Sequence, residues 1–134
     1  MAKGGKEMSG FRFERLEVWQ KSVEWGDRVC RVADRFPTRE QFSLASQMRR
    51  SAVSVSANIA EGSSRASDKD FSRFVEIAFG SLCETVSHLR MALLRSLVAQ
   101  DEHKTLYNDA EDLGKMLSAL RNHLGKWKKD SGAG

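Results

Sequence analysis

Through most of the chain, apolar residues return every three or four positions, the spacing of one helix face. The spacing predicts a first helix from about Arg15 to Phe36, ended by Pro37, which disfavours helical geometry at the residue before it. A second helix runs from about Ser43 to Glu61, with Thr38 and Gln41 as a capping box ahead of it and Gly62 as its stop. Ser67 and Asp70 form a second capping box, opening a third helix that continues to about Ala99. Asp101 caps a fourth helix that reaches about Lys128. Short turns between long helices imply antiparallel neighbours. The expected fold is all-α: an up-down-up-down four-helix bundle over residues 13–128, between a basic disordered tail at 1–12 and a polar tail at 129–134.

The faces differ from helix to helix. The fourth helix has one seam, Leu106, Ala110, Leu113, Leu117, Leu120, Leu124 and Trp127. The first has two stripes. One holds Leu16, Trp19, Val23, Gly26, Cys30 and Ala33, the other Val18, Trp25, Val29, Val32 and Phe36. On the third helix Phe71, Val75, Ala78, Leu82, Leu89 and Leu93 make the main stripe. Ile77, Gly80, Met91, Leu94 and Val98 lie on its other side. A lone bundle needs one apolar stripe per helix, so two-sided helices predict a homo-oligomer. The expected interface is Val18, Trp25, Val29, Val32 and Phe36, or Ile77, Gly80 and Met91.

The second helix carries an apolar stripe (Leu44, Met48, Ala52, Val55, Ile59) and a stripe of smaller residues (Val53, Ala57, Ala60). Between them runs a polar ribbon of Gln47, Arg50, Ser54, Asn58 and Glu61. Arg50 and Glu61 are about 16 Å apart along a helix and cannot meet within it. The ribbon reads either as a structural network of Gln47, Ser54, Asn58 and Glu61, with Asn58 and Glu61 buried and bonded to neighbours, or as a binding face.

Charge extends the second reading. The formal net charge is +4, a mild excess that permits nucleic-acid binding without requiring it. Arg49, Arg50, Arg65, Lys69 and Arg73 lie along one helix–turn–helix segment, and arginine is suited to forked phosphate contacts. Lys3, Lys6, Lys126, Lys128 and Lys129 add charge in the tails.

Catalytic signatures are not found: no GxSxG, P-loop, GxGxxG or HExxH occurs. Glu84 and His88 have ligand spacing but no third donor nearby, so no metal is expected. The expectation is a protein without cofactor or catalysis. Cys30 and Cys83 read as free thiols of a reducing compartment. With no signal peptide and no apolar run of membrane-spanning length, a cytoplasmic location is expected.

Three segments, "FERLEVWQKS", "FP" followed by "FSLASQMRRSAVSVSANIAEGSSR", and "FSRFVEIAFGSLCE", carry a resemblance. The chain resembles the intervening-sequence proteins, encoded within insertions in large-subunit ribosomal RNA genes. Their superfamily includes the accessory variability determinant of diversity-generating retroelements. The resemblance spans about Phe13 to Leu124. Ser56 departs from it, since members often carry proline before the asparagine. It implies a barrel-like homopentamer of four-helix bundles and binding to structured RNA or DNA. In the retroelement branch it implies a reverse transcriptase as partner. The leading expectation is an oligomeric nucleic-acid-binding accessory protein, and the alternative is a protein-interaction scaffold.

Overall fold

The computed structural model describes residues 10–132, with side chains to residue 125. A 3-10 turn, Arg12–Arg15, leads into α1, Glu17–Asp34. A single turn, α2, Thr38–Gln41, precedes α3, Leu44–Ser63. Then come α4, Asp68–Leu94, and α5, Gln100–Gly132. The described residues thus begin just ahead of the boundary expected at residue 13. Of the expected N-terminal tail, residues 1–9 lie outside the described residues, as do the side chains of Trp127 and the tail lysines.

Four long helices close a ring, α1 on α3, α3 on α4, α4 on α5, and α5 back on α1. Cross-helix pairs fix the directions. Arg28 meets Asp109 while Arg35 meets Glu102, so α1 and α5 are antiparallel. Ser54 meets Ser81 while Ser51 meets Thr85, which does the same for α3 and α4.

The helix ends follow from local chemistry. Ser67 caps α4, its Oγ accepting from Asp70 N at 3.1 Å, as the sequence predicts. The expected Thr38–Gln41 capping box is not formed: Pro37 is the N-cap of α2 and no side chain caps it. Gln41 turns back instead. Its Nε2 donates to Ala33 O at 3.0 Å and Phe36 O at 2.9 Å, covering carbonyls freed where α1 ends. The third helix stops at Leu94, short of the expected Ala99. Ser96 is left-handed at φ 59°, Leu97 N donates to Ala92 O and Ser96 N to Leu93 O. This pair of bonds is a Schellman ending with serine in place of the usual glycine. Val98, expected on an outer helix face, folds back into the core.

The expected interface stripe on the first helix needs correction. Val18, Trp25, Val29, Val32 and Phe36 are buried inside the single chain. With Ser22, also buried, their spacing is four, three, four, three, four, a bundle seam. The polar Ser22 hides that seam in the sequence by interrupting its run of apolar residues. The other stripe is its shoulder: Gly26 and Ala33 are buried, Leu16 and Trp19 half-buried, and Val23 exposed. The seam of α5 is as expected through Leu124.

Gly62 does not end α3, which continues through it. A Cβ there would lie 2.6 Å from Phe74 Cβ and 2.9 Å from Phe71 Cδ1. The glycine lets α4 approach α3 at this crossing.

Candidate nucleic-acid interface

The polar residues of α3 divide into an inner and an outer set. The inner set crosses to α4. Thr85 Oγ1 bonds Ser51 Oγ at 2.8 Å, and Ser54 Oγ meets Ser81 Oγ at 2.8 Å. Asn58 Nδ2 donates to Ser54 O at 2.8 Å and to Ser54 Oγ at 2.9 Å. Ser54 and Ser51 tie the two helices together, whereas Asn58, expected to be buried against a neighbouring helix, is half-buried and bonds within α3 to Ser54. Sequence reasoning missed Ser51, Ser81 and Thr85. The signal was small polar residues at core spacing on two helices.

The outer set is Gln47, Arg50 and Glu61, all exposed. Glu61 therefore does not hold α3 against a neighbouring helix, as expected above. It reaches one turn along the chain to Arg65, whose Nη2 donates to Glu61 Oε2 at 2.7 Å. Exposed ion pairs contribute little because water screens both charges. Glu61→Ala should change stability by about 0.5 kcal/mol or less, read as a urea midpoint. A much larger loss would restore Glu61 to a buried role.

The five cations expected to bind nucleic acid do not form one patch. Arg49 and Arg50 are in the first half of α3, and Arg65 lies beyond its other end, about 22 Å away along the axis. Arg65, Lys69 and Arg73 gather around the start of α4. Their engagement also differs. Arg49 is committed to the fold: it donates to Asp34 Oδ1 at 3.2 Å and to Gln41 Oε1 at 3.1 Å. Arg65 pairs with Glu61 and lies 4.6 Å over the Phe74 ring. Arg73 faces Asp70 at 3.5 Å. Arg50 and Lys69 are exposed and have no carboxylate partner among the described residues.

Ile77, Gly80 and Met91 remain on the outside of α4, and Val53 is exposed on α3. A Cβ on Gly80 would meet nothing within 4 Å, so packing within the chain does not call for a glycine there. On the other flank of α4, a groove of about 610 Å³ opens against α5, lined by Phe79, Cys83, Val86, Tyr107 and Ala110.

The titratable groups offer little chemistry. Burial, and then the Asp34 charge, push the Cys30 thiol up, which keeps it protonated and poorly nucleophilic. Burial and Arg90 push His103 below 6.5, so it adds little charge at neutral pH. His88 and Glu84 face each other at 3.3 Å, and no group of three metal-binding side chains occurs among the described residues. No helix among the described residues is long and apolar enough to cross a membrane.

This arrangement of helices and termini has counterparts. The family model described as "23S rRNA-intervening sequence protein" matches residues 14–119. The chain belongs to that family. A crystal structure of a protein of unknown function from the S23 ribosomal protein family of Bacteroides thetaiotaomicron superposes with a TM-score of 0.72 at 27% identity. The match covers 78% of this chain and 97% of that one. A comparison with curated proteins gives no match. The family match covers α1 to α4 entire and α5 as far as residue 119, so the α3–α4 seam and both cation groups are inside it.

Proposed function

We propose that the protein is a non-catalytic, oligomeric accessory protein that binds nucleic acid, with structured RNA as the preferred class. The observation that carries this reading is the unmatched charge. The chain has a net charge of +4, and Arg50 and Lys69 stand exposed without carboxylate partners among the described residues. Membership of a family described as 23S rRNA-intervening sequence proteins supports the same direction. Oligomerisation would repeat both cation groups. Several weak contacts on one polyanion then act together through effective concentration. Shape and backbone contacts, rather than base-edge readout, suit a surface without a groove-reading helix.

The exposed Val53, Ile77, Met91 and Leu94, with Gly80 open to close approach, support contact between copies. The resemblance favours five. A second reading, a scaffold for a protein such as a reverse transcriptase, draws on the apolar α4–α5 groove.

The test is a titration of structured RNA and duplex DNA at low and moderate salt. Binding should be tolerant of sequence and fall steeply with salt. Arg50→Ala with Lys69→Ala should weaken it, leaving the oligomer intact. The salt slope should flatten by about one for each phosphate that the variant no longer neutralises. If the wild type binds neither nucleic acid at low salt, the scaffold reading replaces this one.

A further inference from the structure

Phe42 is 94% exposed, more than any other large apolar side chain of the described residues. It stands at the C-cap of α2, in near-helical geometry at φ −99° and ψ 10°. Residues three apart on such a turn share a side, so Arg39 and Phe42 face outward together. Both are exposed. The inward side of the turn is anchored. Glu40 is 6% exposed, bonded by Ser43 Oγ at 3.2 Å and faced by Arg95 at 3.6 Å. Gln41 is held by the carbonyls at the end of α1 and by Arg49. A phenyl ring is thus displayed to water on a turn fixed from behind. The bundle core does not require it, since its apolar surface stays outside.

The surrounding charge indicates what would cover the ring. The corner has five arginines: Arg35, Arg39, Arg49, Arg50 and Arg95. Three are matched, Arg35 by Glu102, Arg49 by Asp34 and Arg95 by Glu40. Arg39 and Arg50 have no carboxylate partner among the described residues. Arg50 lies on the exposed ribbon of α3, about 9 Å along the axis from its first residue, Leu44. The nearest exposed neighbours along the chain are polar or charged: Thr38, Arg39, Ser43 and Gln47. An apolar protein partner would find one ring in a cationic field. A nucleotide offers both complements, a flat base for the ring and a phosphate for each unmatched guanidinium.

We infer that Phe42 stacks on an unpaired base while Arg39 and Arg50 bind the phosphates beside it, so that this corner selects single-stranded elements of a folded nucleic acid. This deepens the nucleic-acid reading above and rests on it.

Anisotropy titrations test it with three probes at one salt concentration: an RNA hairpin with an unpaired loop, a DNA hairpin of the same design, and a fully paired RNA duplex. Phe42→Ala should weaken binding to both hairpins about tenfold, the scale of one base–aromatic stack, and leave the duplex unchanged. Loss confined to the RNA hairpin would assign the base to RNA alone. Phe42→Tyr should bind like wild type, and Phe42→Leu like the alanine variant. Melting should not change, because the ring is outside the core. Equal hairpin affinity in Phe42→Ala overturns the inference while wild-type binding leaves the general function standing. Full binding by Phe42→Leu overturns it as well, because apolar area alone would then suffice. A change of oligomeric mass in Phe42→Ala overturns it in favour of a contact between copies. A wild type that binds none of the three probes overturns both the inference and the function beneath it.

Discussion

Trp25→Ala should destabilise the chain by about 3–5 kcal/mol, the range for emptying a buried aromatic site. The side chain is 1% exposed, and its Nε1 donates to Leu106 O at 3.0 Å across the α1–α5 seam. Packing, rather than the hydrogen bond, carries most of this. The Leu106 carbonyl is inside α5, where the helix supplies its own donor, so losing the indole does not orphan it. Trp25→Phe keeps a ring and should cost less, about 1–2 kcal/mol. Urea titration reads both. A loss below about 1 kcal/mol in Trp25→Ala, accompanied by dissociation of an oligomer, would put Trp25 back on an outer face.

Gly62→Ala sets two effects against each other. Alanine in a helix interior is favoured over glycine by about 1 kcal/mol. Against this, the new Cβ would lie 2.6 Å from Phe74 Cβ and 2.9 Å from Phe71 Cδ1. Phe74 Cβ moves only with its backbone, and Phe71 is 2% exposed with nowhere to retreat. Overpacking of this kind costs about 1–3 kcal/mol, so the clash should win and the variant should melt lower. Gly62→Val adds two further carbons and should lose about 3 kcal/mol or more. Gly125→Ala is the control of opposite sign: with open space around the added carbon, the chain should gain up to about 1 kcal/mol. A higher melting temperature for Gly62→Ala would show that α4 shifts away freely at this crossing.

How far the sequence could be read depended on what each residue signals alone. The apolar period of α5 marks its face directly, because its inward positions through Leu124 are leucine or alanine. On α1 the same period is interrupted by Ser22, whose hydroxyl is buried without a hydrogen-bond partner among the described residues. A polar residue at a seam position divides one stripe into apparent fragments, and the core is then mistaken for an outer face. The end of α4 was hidden for a related reason. Glycine announces a left-handed residue, whereas Ser96 adopts that conformation without announcing it. Within the candidate site, residue type separated cation from anion but could not pair them. Whether Arg49 faces solvent or Asp34 depends on where α1 ends beside α3, a tertiary fact. Phe42 was within the motif that carries the family resemblance, yet nothing in its spacing distinguished it from a core phenylalanine such as Phe71.

The ring order of the helices has a consequence for how the chain reaches its fold. α1, α3, α4 and α5 are successive along the chain, joined by short connections, and three of the four interfaces bring together helices that follow one another. These interfaces can form as hairpins, with little chain to gather in. Among these four long helices, only the α1–α5 seam joins two that do not follow one another, as Trp25 to Leu106, 81 residues apart, illustrates. Among the long-helix interfaces the entropy of closing a long loop thus falls mainly on this seam, and it rises only with the logarithm of loop length. A topology so dominated by near neighbours belongs to the rapidly folding end of small domains. Such a chain has few distant pairings to search for before its apolar faces are covered, and the indole of Trp25 is seated where the two ends of the ring finally meet.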